Sequence, residues 1–506
     1  MGSNSIGESI LERWTDCFLL VMLAVFPLWT GANGYLGITY AKYVFFRAAA
    51  GIYLVGMMVI FAELIFIGVI KHVDIRSVYR SFSLSQKFIL LYLVAALISA
   101  LLSDYSQVVW LGNQRYEGVF TQLLYVGIFW GVASYGRLRT VHLLAFALAI
   151  SLNSILVTAQ IMGFNPFGLY PPGLNFHDRY LAYTGEFLGT IGNSDLLSAL
   201  LTIAVPLLVC GYMREMSRWR WLLLFSAASG WWALLLSGVS GGLVGIVVGV
   251  FLVIPVLMSD EHYQQRSLRG GMIFSLVTAL FLAFEYSYIE KKVLVDFSFT
   301  KGTLIFLVAG IALYFLPTVF RGKHVKHLPY LIQSVLLLAT VVLIFCCSGT
   351  TGLFYEASQI LRGNVLDSFG SYRIAIWRNV LALIPTDLFF GGGPDTLEFR
   401  LSLLFESTMA SGVLLKSPVD VAHNEYLNIL ANTGLISLVA YLAALLAVLM
   451  RWKRWQNFDK SLLFLGLPLL CYCIQAFFGI AQCFTAVYFW IIFGLFENKL
   501  RKGRLI

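Results

Sequence analysis

Residues 423–450 read HNEYLNILANTGLISLVAYLAALLAVLM. The stretch opens on a histidine, an asparagine and a glutamate, and from Tyr426 to Met450 it holds no charged residue. At about 1.5 Å of rise per helical residue, such a run crosses the ~30 Å hydrocarbon core of a bilayer. Working outward, similar apolar runs fall near 17–37, 44–70, 87–103, 118–135, 141–163, 190–212, 219–237, 240–258, 271–289, 302–320, 329–347, 461–480 and 483–498. Composition agrees: 59% of residues are hydrophobic and 12% charged, against about 25% charged in soluble domains. No single soluble core can hide that much apolar surface. The expected fold class is an all-α polytopic membrane protein with about 12–14 transmembrane helices and one large extracytoplasmic loop. The expected organisation is 1–347 as N-terminal spans, 348–425 as the loop with short amphipathic helices, and 426–506 as C-terminal spans, all one membrane domain.

The net charge of +9 does not point to nucleic acid. Twenty-three of the 35 basic residues lie in alternate short loops at span ends, among them Arg137, Arg139, Arg214, Arg218, Arg266, Arg451 and Arg501. The positive-inside rule then puts both termini in the cytoplasm and the 348–425 loop outside. The first run lacks a small-residue cleavage site and reads as an uncleaved span. The seven cysteines have no zinc-site spacing and lie mostly in apolar runs, as small packing residues do.

Two histidines, His177 and His423, fall outside the cytoplasm on this topology. Asp420 is placed to cap the helix that follows His423 and becomes a span. A helix N-terminus disfavours imidazolium, and a neutral imidazole is what a general base requires. A purely structural or interfacial histidine is the competing reading. Earlier in the loop, Ser371 is placed as an N-cap and Pro385 as a stop, with Tyr372, Ile376 and Val380 along one helical face. Arg373 and Trp377, four apart, share another. Arginines on an external loop run against topological preference and suggest an anionic partner, since guanidinium binds phosphate oxygens bidentately. Arg373 and Arg378 are the candidates, with Arg115 from the earlier segment Asn113–Gly118. Ion pairing with Asp367, Asp387 or Glu398 is the alternative. Gly391-Gly392-Gly393-Pro394 is either a tight turn or a place where backbone amides approach an anion. The loop carboxylates show no metal-ligand spacing, and neither metal nor cofactor is expected.

The stretch from Arg373 to Ser437 resembles the signature region of the O-antigen ligase and O-antigen polymerase superfamily. Arg373 with Trp377 matches an arginine followed four residues later by a bulky apolar side chain. His423, Asn424 and Gly434 match the second signature, whose last position is Ser437 here. In the segment Ser237–Gly242, Ser240 stands where members often carry an arginine. The resemblance implies a GT-C-like membrane glycosyltransferase of the bacterial cytoplasmic membrane whose donor glycan is carried on undecaprenyl diphosphate. It implies His423 as base, Arg373 with Arg378 and Arg115 at the donor diphosphate, and Asn424, Trp377 and Gly434 in support. The expected reaction is metal-independent, inverting transfer to an acceptor hydroxyl on a glycan, lipid, protein or wall polymer. The alternatives are a polymerase of lipid-linked repeat units and, in another class, a lipid-linked oligosaccharide flippase or transporter. The ligase-related region is expected over about 230–440.

Overall fold

A computed structural model describes residues 3–67, 80–178, 187–285, 299–319, 325–346, 352–408, 414–455 and 462–502. The positions 348–351 and 409–413 of the long loop, and several basic positions of the short loops, including Arg76, Lys323 and Lys460, lie outside them.

Among the described residues the chain is all-α apart from two small hairpins. The helices are α1 (Ser3–Leu20), α2 (Ile38–Phe66), α3 (Leu84–Leu102), α4 (Val119–Tyr135), α5 (Thr140–Ile161), α6 (Ser194–Arg214), α7 (Arg220–Leu236), α8 (Ser240–Leu257), α9 (Glu261–Phe284), α10 (Phe299–Val319) and α11 (Leu328–Phe345). The long loop supplies α12 (Leu353–Leu361), α13 (Arg373–Leu383) and the single turn α14 (Leu397–Arg400). The last three are α15 (Glu425–Trp455), α16 (Leu463–Gln475) and α17 (Cys483–Lys502). Strands β1 (Phe187–Leu188) and β2 (Gly192–Asn193) pair before α6, and β3 (Leu404–Thr408) pairs antiparallel with β4 (Leu414–Pro418), Leu404 opposite Pro418. Among the described residues, nine helices are long and apolar enough to cross a membrane, and four shorter apolar helices accompany them.

Helix α6 is the centre of the bundle. It packs on α7, α8, α16 and α17, and its serines and threonine Ser198 and Thr202 are buried. Helix α8 reaches it because Gly242, Gly245 and Gly249 recur at helical spacing. A Cβ on Gly245 would press on Thr202 and the Cys471 carbonyl, so small residues permit the close approach.

The first span differs from the expected 17–37. Helix α1 starts at Ser3 and continues through a π turn and a 3-10 turn only to Leu28. Its polar half is tied down by Glu12–Arg137 (2.7 Å) and Asp16–Arg139 (2.6 Å). Its far end is capped by Lys42, a buried cation that the sequence reading passed over, which donates from Nζ to the Phe26 and Pro27 carbonyls at 2.8 and 3.1 Å. Carbonyls at a helix end lack partners within the helix, and the ammonium supplies them.

The span expected at 425–450 is also broken. Gly434 has φ 84° and ψ 177°, so α15 consists of an arm, 425–433, and a span from Leu435. Tyr441 Oη donates to Glu425 at 2.8 Å. In a straight helix those residues would be about 24 Å apart. The arm therefore folds back along its own span, and Glu425 is also held by Tyr472 Oη (3.0 Å) and by its own N–H on the Ala476 carbonyl (2.8 Å).

Candidate active site

The connections before α4, α6, α8 and α17 and the arm of α15 meet at one end of the bundle. His423 is fixed there by its neighbours. The Ala422 carbonyl accepts from Trp377 Nε1 (3.0 Å), and the Ala422 N–H donates to Asn428 Oδ1 (3.3 Å). Asn424 Oδ1 accepts from the N–H groups of Tyr426 and Leu427 at 3.0 and 3.1 Å, so Asn424 is the N-cap. His423 itself is left-handed, at φ 47°. A non-glycine residue held there carries backbone strain, which concentrates at functional sites.

Asp420 does not cap the helix. It takes Arg115 bidentately, Nε to Oδ2 at 2.6 Å and Nη2 to Oδ1 at 3.0 Å. Ser371 does not cap either. Gly370, Ser371 and Tyr372 are all left-handed, with φ of 61°, 56° and 67°, and α13 begins without a side-chain cap. Ile376 and Val380 are buried as expected, whereas Tyr372 is exposed. The three-residue turn brings Arg373 inward. Its Nη1 donates to the Gly370 carbonyl (3.1 Å) and its Nη2 lies 3.4 Å from Asp195 Oδ1. The other oxygen of Asp195 lies 3.8 Å from His423 Nδ1, too long for a hydrogen bond and close enough for strong electrostatic coupling. Asp195 is thus the counter-ion of Arg373 and stands beside the His423 ring, where it would stabilise the imidazolium that forms on protonation. It is the second residue of α6, where a helix N-terminus favours an anion.

Arg373 Nε and His423 Nδ1 are buried and have no hydrogen-bond partner among the described residues. Desolvation of the ring pushes the His423 pKa down to about 4; the charges of Arg115 and Arg373 push the same way, and Asp195 and Asp420 oppose them. Burial, more than the helix terminus, keeps the imidazole neutral. The arrangement is one neutral base between two guanidinium groups, each backed by a carboxylate.

A family model described as O-antigen ligase matches residues 293–442. Over that stretch the chain is similar to the O-antigen ligase family. Its function is of the O-antigen ligase and polymerase type, in a membrane. No curated protein shows a significant match to the chain. The matched stretch contains Arg373, Trp377, His423, Asn424 and Gly434, while Arg115 and Asp195 come to the site from outside it.

Within the matched stretch the glycine turn has a defined task. The break at Gly434 frees carbonyls and N–H groups of α15, and the turn satisfies them. Gly392 and Gly393 N–H donate to the Ala431 and Asn432 carbonyls (3.1 and 2.8 Å), and the Leu435 and Ile436 N–H groups donate to the Leu388 and Phe389 carbonyls (2.8 and 3.3 Å). The amides of Gly392 and Gly393 are thereby engaged by protein rather than free for an anion. A Cβ at Gly434 would collide with the Phe389 carbonyl.

Arg378 is apart from this cluster. Five residues from Arg373, it is rotated about 140° around α13, and it pairs with Asp367 at 2.6 Å on an exposed surface. The expectation that it joins the diphosphate site does not follow from this geometry. His177 is also elsewhere, its Nε2 2.7 Å from the Ile161 carbonyl, and Arg179 lies outside the described residues. Ser240 opens α8 at the same end. Its neighbour Gly241 packs on Phe478, whose ring centroid is 6.4 Å from that of Trp377. The sequence reading missed Asp195 because an aspartate opening a helix looks like ordinary capping chemistry.

Proposed function

We propose that the protein transfers a glycan from undecaprenyl diphosphate to an acceptor hydroxyl at the outer face of the cytoplasmic membrane, with both termini inside. The observation that carries this reading is a neutral His423 coupled through Asp195 to an inward-facing Arg373, with His423 Nδ1 and Arg373 Nε both unpartnered among the described residues. The donor diphosphate lies against Arg373 and Arg115. These cations, preorganised by Asp195 and Asp420, stabilise the charge that grows on the leaving diphosphate. Arg115 takes the place that Ser240 leaves without charge, and the arginines supply the positive field that a divalent metal would otherwise provide.

The acceptor oxygen forms its bond to the anomeric carbon as the bond from that carbon to the diphosphate oxygen breaks. The hydroxyl proton passes to the His423 imidazole, and single displacement inverts the centre. Bound diphosphate offsets the arginine charges that depress His423, so donor binding itself raises the basicity of the base. The purified His423→Ala variant, given lipid-linked donor, is expected to lose about 10²–10⁴-fold in transfer rate. Full transfer by that variant overturns the assignment.

A further inference from the structure

We propose that a cavity at the same end of the bundle is a saccharide-binding subsite that holds a pyranose unit of the glycan away from the transferred bond, an inference that rests on the glycosyl-transfer reading. The cavity measures about 350 Å³ and lies between the end of α3 and the loop helices α13 and α14. Its functional lining is Asp104, Tyr105, Thr386, Asp387, Phe399 and Arg400. The rings of Tyr105 and Phe399 stack with centroids 5.6 Å apart and planes at 26°, yet Phe399 remains 46% exposed. An exposed aromatic platform beside carboxylates, a hydroxyl and a guanidinium is the surface a sugar ring needs. Its C–H face covers the ring, and its hydroxyls donate to carboxylate oxygens and accept from N–H groups.

The polar groups are arranged for this. Arg400 Nη1 donates to the Ala431 carbonyl (2.7 Å) and Nη2 to Asp387 Oδ2 (3.2 Å), which fixes the guanidinium. Asp104 makes no hydrogen bond or ion pair among the described residues and keeps its acceptors open. Two carboxylates against one guanidinium leave the cavity net negative, which disfavours phosphate and favours a neutral polyol. A larger cavity between α5, α7 and α9, lined by Phe225, Trp232 and Leu280 among others, is apolar and has no such equipment.

The location also fits. Gly392 and Arg400, both on the cavity wall, hold the Ala431 carbonyl. Ala431 is six residues along the arm of α15 from Glu425, about 9 Å of helix. His423 and the cavity are therefore anchored to opposite ends of one rigid two-turn arm, a separation that a short oligosaccharide bridges.

The test uses the full-length protein in detergent and, as probe, the free oligosaccharide released by mild acid from the cell's own lipid-linked glycan. Saturation-transfer NMR titration is expected to show binding to the wild type and to His423→Ala, and binding weaker by about tenfold in Phe399→Ala and in Asp104→Ala, the scale of one lost aromatic or hydrogen-bonded contact. Unchanged thermal unfolding shows that the variants are folded. Equal binding by all four proteins, or none by the wild type, overturns the subsite. Loss of transfer in His423→Ala with normal binding in the cavity variants refutes the subsite alone. Retained transfer in His423→Ala with lost binding in the cavity variants refutes the catalytic assignment alone. Displacement of the bound oligosaccharide by intact lipid-linked donor assigns the sugar to the donor and failure to displace assigns it to the acceptor, and both results uphold the site.

Discussion

Asp195→Asn isolates the electrostatic core of the site. The substitution keeps the shape of the side chain and removes one negative charge 3.8 Å from His423 Nδ1 and 3.4 Å from Arg373 Nη2. A unit charge at that distance from an imidazolium is worth about 4 kcal/mol at an effective dielectric constant of about 20 and about 1 kcal/mol in bulk water. Both side chains retain about a fifth to a quarter of their exposure (25% and 22%), so the effect falls between these limits, about one to two pH units at 1.36 kcal/mol each. The sign is fixed by the charge. The carboxylate favours imidazolium, so its loss moves the His423 pKa below its value of about 4 and leaves a weaker base. The assay is the pH dependence of initial transfer rates with labelled lipid-linked donor. For the wild type, the acid limb of kcat/KM lies near pH 4, and that of kcat lies higher because bound diphosphate raises the base. For Asp195→Asn, both limbs move to lower pH, and kcat at neutral pH falls about tenfold as the weaker base contributes less. Donor KM holds or falls, since a carboxylate facing the diphosphate is gone. A limb that moves to higher pH, or an unchanged limb with raised KM, refutes the coupling.

Other outcomes follow from the same geometry. Gly434→Ala is expected to cost about 1–3 kcal/mol from backbone conformation alone, seen as a lower unfolding temperature, and to depress transfer because His423 rides on the displaced arm. Arg378→Ala is expected to change stability by less than about 1 kcal/mol, as exposed ion pairs do, and to leave transfer near wild type, whereas Arg373→Ala should raise donor KM and lower kcat. Asp395 accepts from the Asn113 and Glu117 N–H groups, and burial raises its pKa from 3.8 to about 6. Its folded value exceeds its unfolded one, so its contribution is most favourable below about pH 4 and is lost as pH rises to about 6. Asp395→Asn should therefore be more stable than wild type above pH 6, by up to about 3 kcal/mol, and unfolding midpoints on either side of that window check it.

The membrane fold was legible in the sequence because the bilayer imposes a one-dimensional rule: each span must satisfy its backbone internally and present a long apolar run. Arg373 and His423 stood out as candidates because arginines outside a membrane and a histidine at a helix start are unusual placements, and because both fall on the signature positions of the family that the stretch resembles. Partnerships were not. Asp195 is 178 residues from Arg373 and Asp420 is 305 from Arg115, and no local pattern pairs them. The break at Gly434 was also hidden, since its apolar flanks continue the helical pattern on both sides. What fixes it is the Gly391–Gly393 turn, whose amides replace the lost helical bonds. Sequence alone thus determined that the chain crosses a membrane and singled out the two side chains on which the proposed chemistry rests. Only the tertiary structure decided which carboxylates back them and how far the histidine is desolvated, because charge pairing and burial are properties of space rather than of the chain.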